Sequence, residues 1–175
     1  MRFVSEENLL LHKNYVRDLE LKYSILNKSI SNLANKNIKD IYYSSFERDI
    51  KTEALGLLYE IEMHKLYFSS FSSDKSYISS EKVKSLYKNE ANFLNAIYKY
   101  AFKCNHGFVF AYLKRGKIEI AEGSVERLVW SYSEPKLCLD VCEHSYYGDF
   151  GFDKKRYLLS SIPYLKLDVF DGKII

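Results

Sequence analysis

Four histidines, His12, His64, His106 and His144, are scattered through this 175-residue chain. Patterning turns three of them inward. His12 falls on the apolar stripe Leu9, His12, Val16, Leu19, and Tyr23 and Leu26 extend it, all at the spacing of one helix face. His64 lies near the end of a second helical stretch whose apolar positions are Ile50, Leu55, Leu58, Ile61 and Leu66. His144 belongs to "KLCLDVCEHSYY" (136–147), where Asp140 ends an apolar, strand-like run and His144 follows as the chain turns into a helix. A buried carboxylate is costly unless it is paired or bound to a metal, so Asp140 requires a partner. Two antiparallel helices facing that junction could bring His12, His64, Asp140 and His144 to one point. Three imidazoles and a carboxylate suit iron or manganese with an open position, and zinc or copper could bind the set as well. A histidine on an apolar helix face is more often a satisfied core residue than a ligand, so these residues alone leave both readings standing.

The elements that would position such a site are readable in outline. Ser5 with Glu6 and Glu7 forms a helix start, the acids suiting the positive end of the helix dipole. Asn35 to Asn37 is a polar break, and Ser44-x-x-Glu47 reads as a capping box that opens the second long helix. The serine-rich run "SSFSSDKSYISSEK" (69–82) connects to a third helical region with Phe93, Ile97, Tyr100 and Ala101 facing inward. At Asn105-His106-Gly107 the period changes. "GFVFAYLKRGKIEIAEG" predicts two strands around a turn at Lys114-Arg115-Gly116, and "KLCLDV" a third. "FDKKRYLLSSIPYLK" predicts a last amphipathic helix, interrupted at Pro163. Long helices followed by a small antiparallel sheet with helices make an α+β fold.

Composition sets the outer bounds. Apolar residues make up 47% and aromatics 16%, with 16 Tyr and 11 Phe, enough for a sizeable core in one domain or two closely packed halves. A net charge of +3 with interspersed signs, and no dense basic run, argues against a nucleic-acid partner. The three cysteines, Cys104, Cys138 and Cys142, contain no C-x-x-C pair, which favours neither a disulfide framework nor a zinc knuckle. The start of the chain reads as charged helix without a signal-like apolar segment, and no apolar run approaches the ~18–20 residues that cross a bilayer. A soluble protein of a reducing, cytoplasmic compartment is the expectation.

"DVCEHSYY" (140–147) resembles the D-V-W-E-H-A-Y-Y signature of the iron/manganese superoxide dismutases, with Cys142 where that family has tryptophan. Other segments agree with the resemblance. "FVSEENLLLHKNYVRDLELKYSILN" (3–27) is similar to the family's first helix without a gap, "EIEMHKLYF" (60–68) to its N-H-x-x-F-W segment, and "HGFVFAYL" (106–113) to its G-W-x-W-L strand. His12, His64, Asp140 and His144 then fall, in order, on the four ligand positions. The resemblance implies an N-terminal helical hairpin (1–75) and a C-terminal α/β half (76–175) with a three-stranded antiparallel sheet, the metal lying between them. It also implies one Fe or Mn ion per chain, superoxide as substrate, and a homodimer in which Glu143 reaches the other subunit's ligand histidine. Tyr147 remains in the interface motif, while its usual histidine partner is replaced by Val16.

The departures from the pattern concern proton delivery and redox tuning. In the same register the family's gateway histidine and tyrosine are Val16 and Glu20, which makes Glu20 the candidate proton relay. The glutamine that bonds the metal's solvent ligand comes from one of two places, occupied here by Glu60 and Glu126. A unit negative charge ~6 Å from a metal, at an effective dielectric of ~20, interacts with each added metal charge by about 3 kcal/mol. For a one-electron couple that is on the order of 100 mV, favouring the oxidised ion. A protonated glutamate could instead stand in for glutamine. Cys142 reads either as a small buried hydrophobe or as a thiol open to peroxide. The leading expectation is a superoxide dismutase-like enzyme. Two alternatives stand beside it: an oxidase, oxygenase or hydrolase on the same scaffold, with one metal or two, and a non-catalytic structural or interaction module.

Overall fold

The structure, a computed structural model, describes residues 3–30, 33, 36–73, 79–126 and 135–172. The residue at the break, Asn35, the middle of the serine-rich connection and the expected boundary at 75/76 lie outside these. Helix α1 (Glu6–Ser29) begins where its sequence dictates: the Ser5 hydroxyl accepts from the Asn8 backbone N–H, and Glu6 and Glu7 occupy the first turn. Its buried stripe is Asn8, His12, Val16 and Leu19.

The capping box predicted at Ser44-x-x-Glu47 does not form. Ser44 donates its hydroxyl back to the Ile41 carbonyl and helps end a short helix, α2 (Ile38–Tyr42), which hydrophobic periodicity had not revealed. That helix carries the capping box instead, between Asn37 and Asp40. Helix α3 (Arg48–Ser69) then starts from Glu47 without a side-chain cap and buries Ala54, Leu55, Ile61, Met63, His64 and Tyr67. Helices α1 and α3 run antiparallel. The His12 and His64 rings meet at 5.0 Å near one end, while Tyr23 and Leu26 join Leu55 and Leu58 in a separate cluster closed by Leu33 and Ile41.

The expected third helix is two, α4 (Glu81–Tyr87) and α5 (Glu90–Lys103), broken at Lys88, whose φ of 70° no helix accepts. Phe93, Ile97 and Ala101 are buried as predicted, but Tyr100 lies on the outer face at 47% exposure. Strands β1 (Phe108–Lys114) and β2 (Lys117–Glu122) form a hairpin with Lys114 opposite Lys117. Arg115 and Gly116 both have positive φ, the geometry of a tight two-residue turn that follows strand twist. Strand β3 (Pro135–Asp140) pairs antiparallel with the other side of β1, giving the order β2-β1-β3. The chain continues through a 3-10 turn (Glu143–Ser145), a one-turn helix α6 (Tyr147–Phe150) and helix α7 (Lys154–Ser161), and Pro163 enters a second 3-10 turn after it. The main core joins the sheet residues Phe108, Phe110, Leu137 and Leu139 to Tyr67, Phe93, Ile97, Tyr157 and Leu158. The architecture is α+β. No described helix is long and apolar enough to cross a membrane.

Candidate metal centre

Four side chains from three parts of the chain converge where α1, α3 and the end of β3 meet. One ligand atom from each of His12, His64, Asp140 and His144 lies within 4.8 Å of every other. Asp140 Oδ2 is at the focus, 2.9 Å from His144 Nε2, 3.2 Å from His12 Nε2 and 3.5 Å from His64 Nε2. His64 Nε2 and His144 Nε2 are 3.1 Å apart. Despite these distances, neither Asp140 Oδ2 nor His12 Nε2 has an aligned hydrogen bond, although both atoms are fully buried. Buried polar atoms left in that state cost free energy. Three imidazole nitrogens and a carboxylate oxygen so arranged fit a divalent or trivalent transition-metal ion.

The surrounding residues hold each donor in place. Strand β3 carries Asp140 opposite Phe108 of β1, and its Oδ1 accepts the Cys142 backbone N–H at 2.8 Å. Its carbonyl accepts hydroxyls from Tyr157 (2.9 Å) and Ser145 (3.2 Å). The 3-10 turn then swings His144 back over Asp140. Asn8, one helical turn before His12, donates its amide to the Ser145 carbonyl at 3.1 Å and so ties α1 to that turn. His64 Nδ1 lies 2.6 Å from the Glu60 carbonyl, which directs the ring proton to Nδ1 and leaves Nε2 free to bind. Sequence reasoning did not single out Asn8, Ser145 or Tyr157. A polar residue on an otherwise apolar stripe was the one available signal, at Asn8.

Burial and mutual attraction set the protonation states. Burial alone would raise the Asp140 pKa, but the three imidazoles hold it well below the usual carboxylate range. His12 is lowered, because burial outweighs the pull of Asp140. For His64 burial also lowers, yet Asp140 and the Glu60 carbonyl prevail and its pKa is raised. In the metal-free centre the titrations of Asp140, His12 and His64 are thus coupled, with Asp140 held ionised.

The glutamates separate sharply. Glu60, half-buried, places Oε2 3.8 Å from His64 Nδ1, and burial raises its pKa despite the nearby histidines. Glu20 is exposed and turns to Lys65 at 3.7 Å, away from the cluster. Glu126 is also exposed, and Val16 is buried between helices. Cys142 is buried, its sulfur accepting the Gly107 N–H at 3.1 Å and lying 3.9 Å from His106 Nε2. Burial raises its thiol pKa, which keeps it protonated and suppresses its nucleophilicity. Glu143 and Tyr147 are exposed, and His106 lies in the turn before β1. One aromatic the sequence did not flag, Tyr15, packs its ring, tilted, at 4.6 Å from His144 and 5.5 Å from His64.

The model of the C-terminal domain of the iron/manganese superoxide dismutases matches residues 75–170, more than half of the chain. The chain belongs to the iron/manganese superoxide dismutase family. No curated protein matches it.

Proposed function

We propose that this protein is a metal-dependent oxidoreductase of superoxide dismutase type, holding one iron or manganese ion through His12, His64, Asp140 and His144. The observation that carries the proposal is the convergence of three Nε2 atoms on the unsatisfied Asp140 Oδ2. A bound iron or manganese ion supplies a one-electron couple that oxidises one superoxide to dioxygen and reduces the next to peroxide with two protons. The chain's own residues do the rest. Asp140 stays ionised and offsets the ion's charge. His12, neutral, presents its lone pair directly, and His64, oriented by the Glu60 carbonyl, presents Nε2 once its extra proton has left. The Glu60 carboxyl stands beside His64 with its pKa raised by burial, and in this reading it takes the relay role expected of Glu20. Glu126 has no part in this reading.

The fold divides functionally at residue 75, the N-terminal half supplying His12 and His64 and the C-terminal half Asp140 and His144. A homodimer, with Glu143 and Tyr147 at the contact, follows from the family and from the exposure of both residues. Glu60, a carboxylate where an amide is expected, also favours a second reading: a different metal-dependent reaction, such as an oxidase or oxygenase. The test is superoxide consumption by protein loaded separately with iron and with manganese, with metal per chain counted on the same samples. Rapid consumption at near-unit stoichiometry with one metal is expected. Bound metal without turnover would remove the dismutase reading in favour of the second.

A further inference from the structure

Within one chain, solvent reaches this cluster from one side. The side chains of His64 and Asp140 have no exposure and His12 has 2%, whereas His144 has 30%. Tyr15 stands over that opening. On α1 it lies three residues beyond His12, a spacing that places both near one line of the helix. Its ring is tilted 32° to the His144 ring at 4.6 Å, and it also approaches His64 at 5.5 Å. It remains 38% exposed, so one part of the ring covers imidazoles while the rest meets water. Glu60, 33% exposed, is the other side chain at the rim for which burial and proximity to His64 are both evident. Burial raises the Tyr15 pKa, as do the nearby carboxylates of Glu60 and Asp140, so the phenol is neutral around neutral pH. The residues at the two expected gateway positions do not compete for this place: Val16 is in the helix interface, and Glu20 is engaged by Lys65.

We propose that Tyr15 is the gate of the site, an aromatic ring that closes the solvent side of the His12–His64–Asp140–His144 cluster and admits azide more readily than the bulkier thiocyanate. The proposal rests on the metal-site reading above. Removing the ring widens the opening; removing the hydroxyl alone leaves it as it is.

The test uses the full chain in two states. In metal-free protein, diluted until sedimentation shows it monomeric, carbethoxylation of His144 by diethylpyrocarbonate is followed by peptide mass spectrometry. In ferric-loaded protein, azide and thiocyanate affinities are read from the metal's absorption bands, with iron per chain counted. Tyr15→Ala is expected to label several-fold faster and to shift the thiocyanate-to-azide affinity ratio upward by about tenfold. Tyr15→Phe should match the wild type in both. Tyr15→Trp, which keeps the packing if the alanine variant does not fold, should label more slowly and bind azide more weakly. Unchanged labelling and an unchanged anion ratio in the alanine and tryptophan variants, with iron fully bound, would overturn the gate and leave the metal centre standing. Wild-type protein that takes up neither iron nor manganese would overturn both, and the metal count tells the two failures apart.

Discussion

Asp140 is the residue on which the centre turns, because three imidazoles crowd one of its oxygens while the backbone of Cys142 holds the other. Asp140→Ala should bring metal content to trace levels by elemental analysis; full retention would sink the ligand assignment. The protonation states give the pH dependence of the metal-free protein. Asp140 has a folded pKa below its ordinary value, so its contribution is present above the ordinary carboxylate range and is lost as pH falls through the folded value. His64 has a folded pKa above 6.5, so its contribution is complete below that pH and disappears as pH rises through the folded value. The same His64 proton competes with a metal. Metal affinity should therefore climb with pH by up to about tenfold per unit until His64 has lost its proton, and then level off. Titration calorimetry at several pH values checks this; a flat profile would mean that no proton leaves on binding.

At the scale of elements, two contacts decide how α3 meets the sheet. Ser70, at the end of α3, donates its hydroxyl to Leu66 and accepts the N–H of Cys138 on the outer edge of β3. Ser70→Ala would leave that buried N–H without a partner and should cost about 1–3 kcal/mol in urea unfolding. An effect near zero would show that the helix–strand tie is dispensable. Gly123, just after β2, lies against the Tyr59 hydroxyl of α3, and a Cβ there would collide with that oxygen. Gly123→Ala should therefore destabilise by roughly 1–3 kcal/mol through overpacking, and Tyr59→Phe in the same chain should recover part of the loss. Absence of recovery would place the strain elsewhere. The helix starts illustrate local competition: Ser5 caps α1 as its sequence predicts, whereas Ser44 turns back to Ile41 and caps nothing.

For the whole molecule, the centre joins residues from α1, α3 and the end of β3, so a bound ion would clamp parts of the chain that separate on unfolding. Metal at ~1,000 times its dissociation constant would stabilise by about 4 kcal/mol, which for a chain of this size raises Tm by on the order of 10 °C. Calorimetry before and after chelation measures it, and coincident transitions would contradict a metal shared between the two halves.

The sequence by itself determined the α+β order and the hairpin turn at Lys114-Arg115-Gly116, because period and turn chemistry are local signals, and it grouped His12, His64, Asp140 and His144 only through the family resemblance. It did not determine which glutamate faces the cluster. Glu20 and Glu60 read alike on paper, and only the packing of α1 against α3 turns one toward Lys65 and the other toward His64. Nor did it reveal Tyr15, which lies off the buried stripe of its own helix. Its partners come from α3 and from the turn after β3. A side chain whose role depends on neighbours far away in the chain leaves no periodic trace, and the tertiary structure alone brings those neighbours to it.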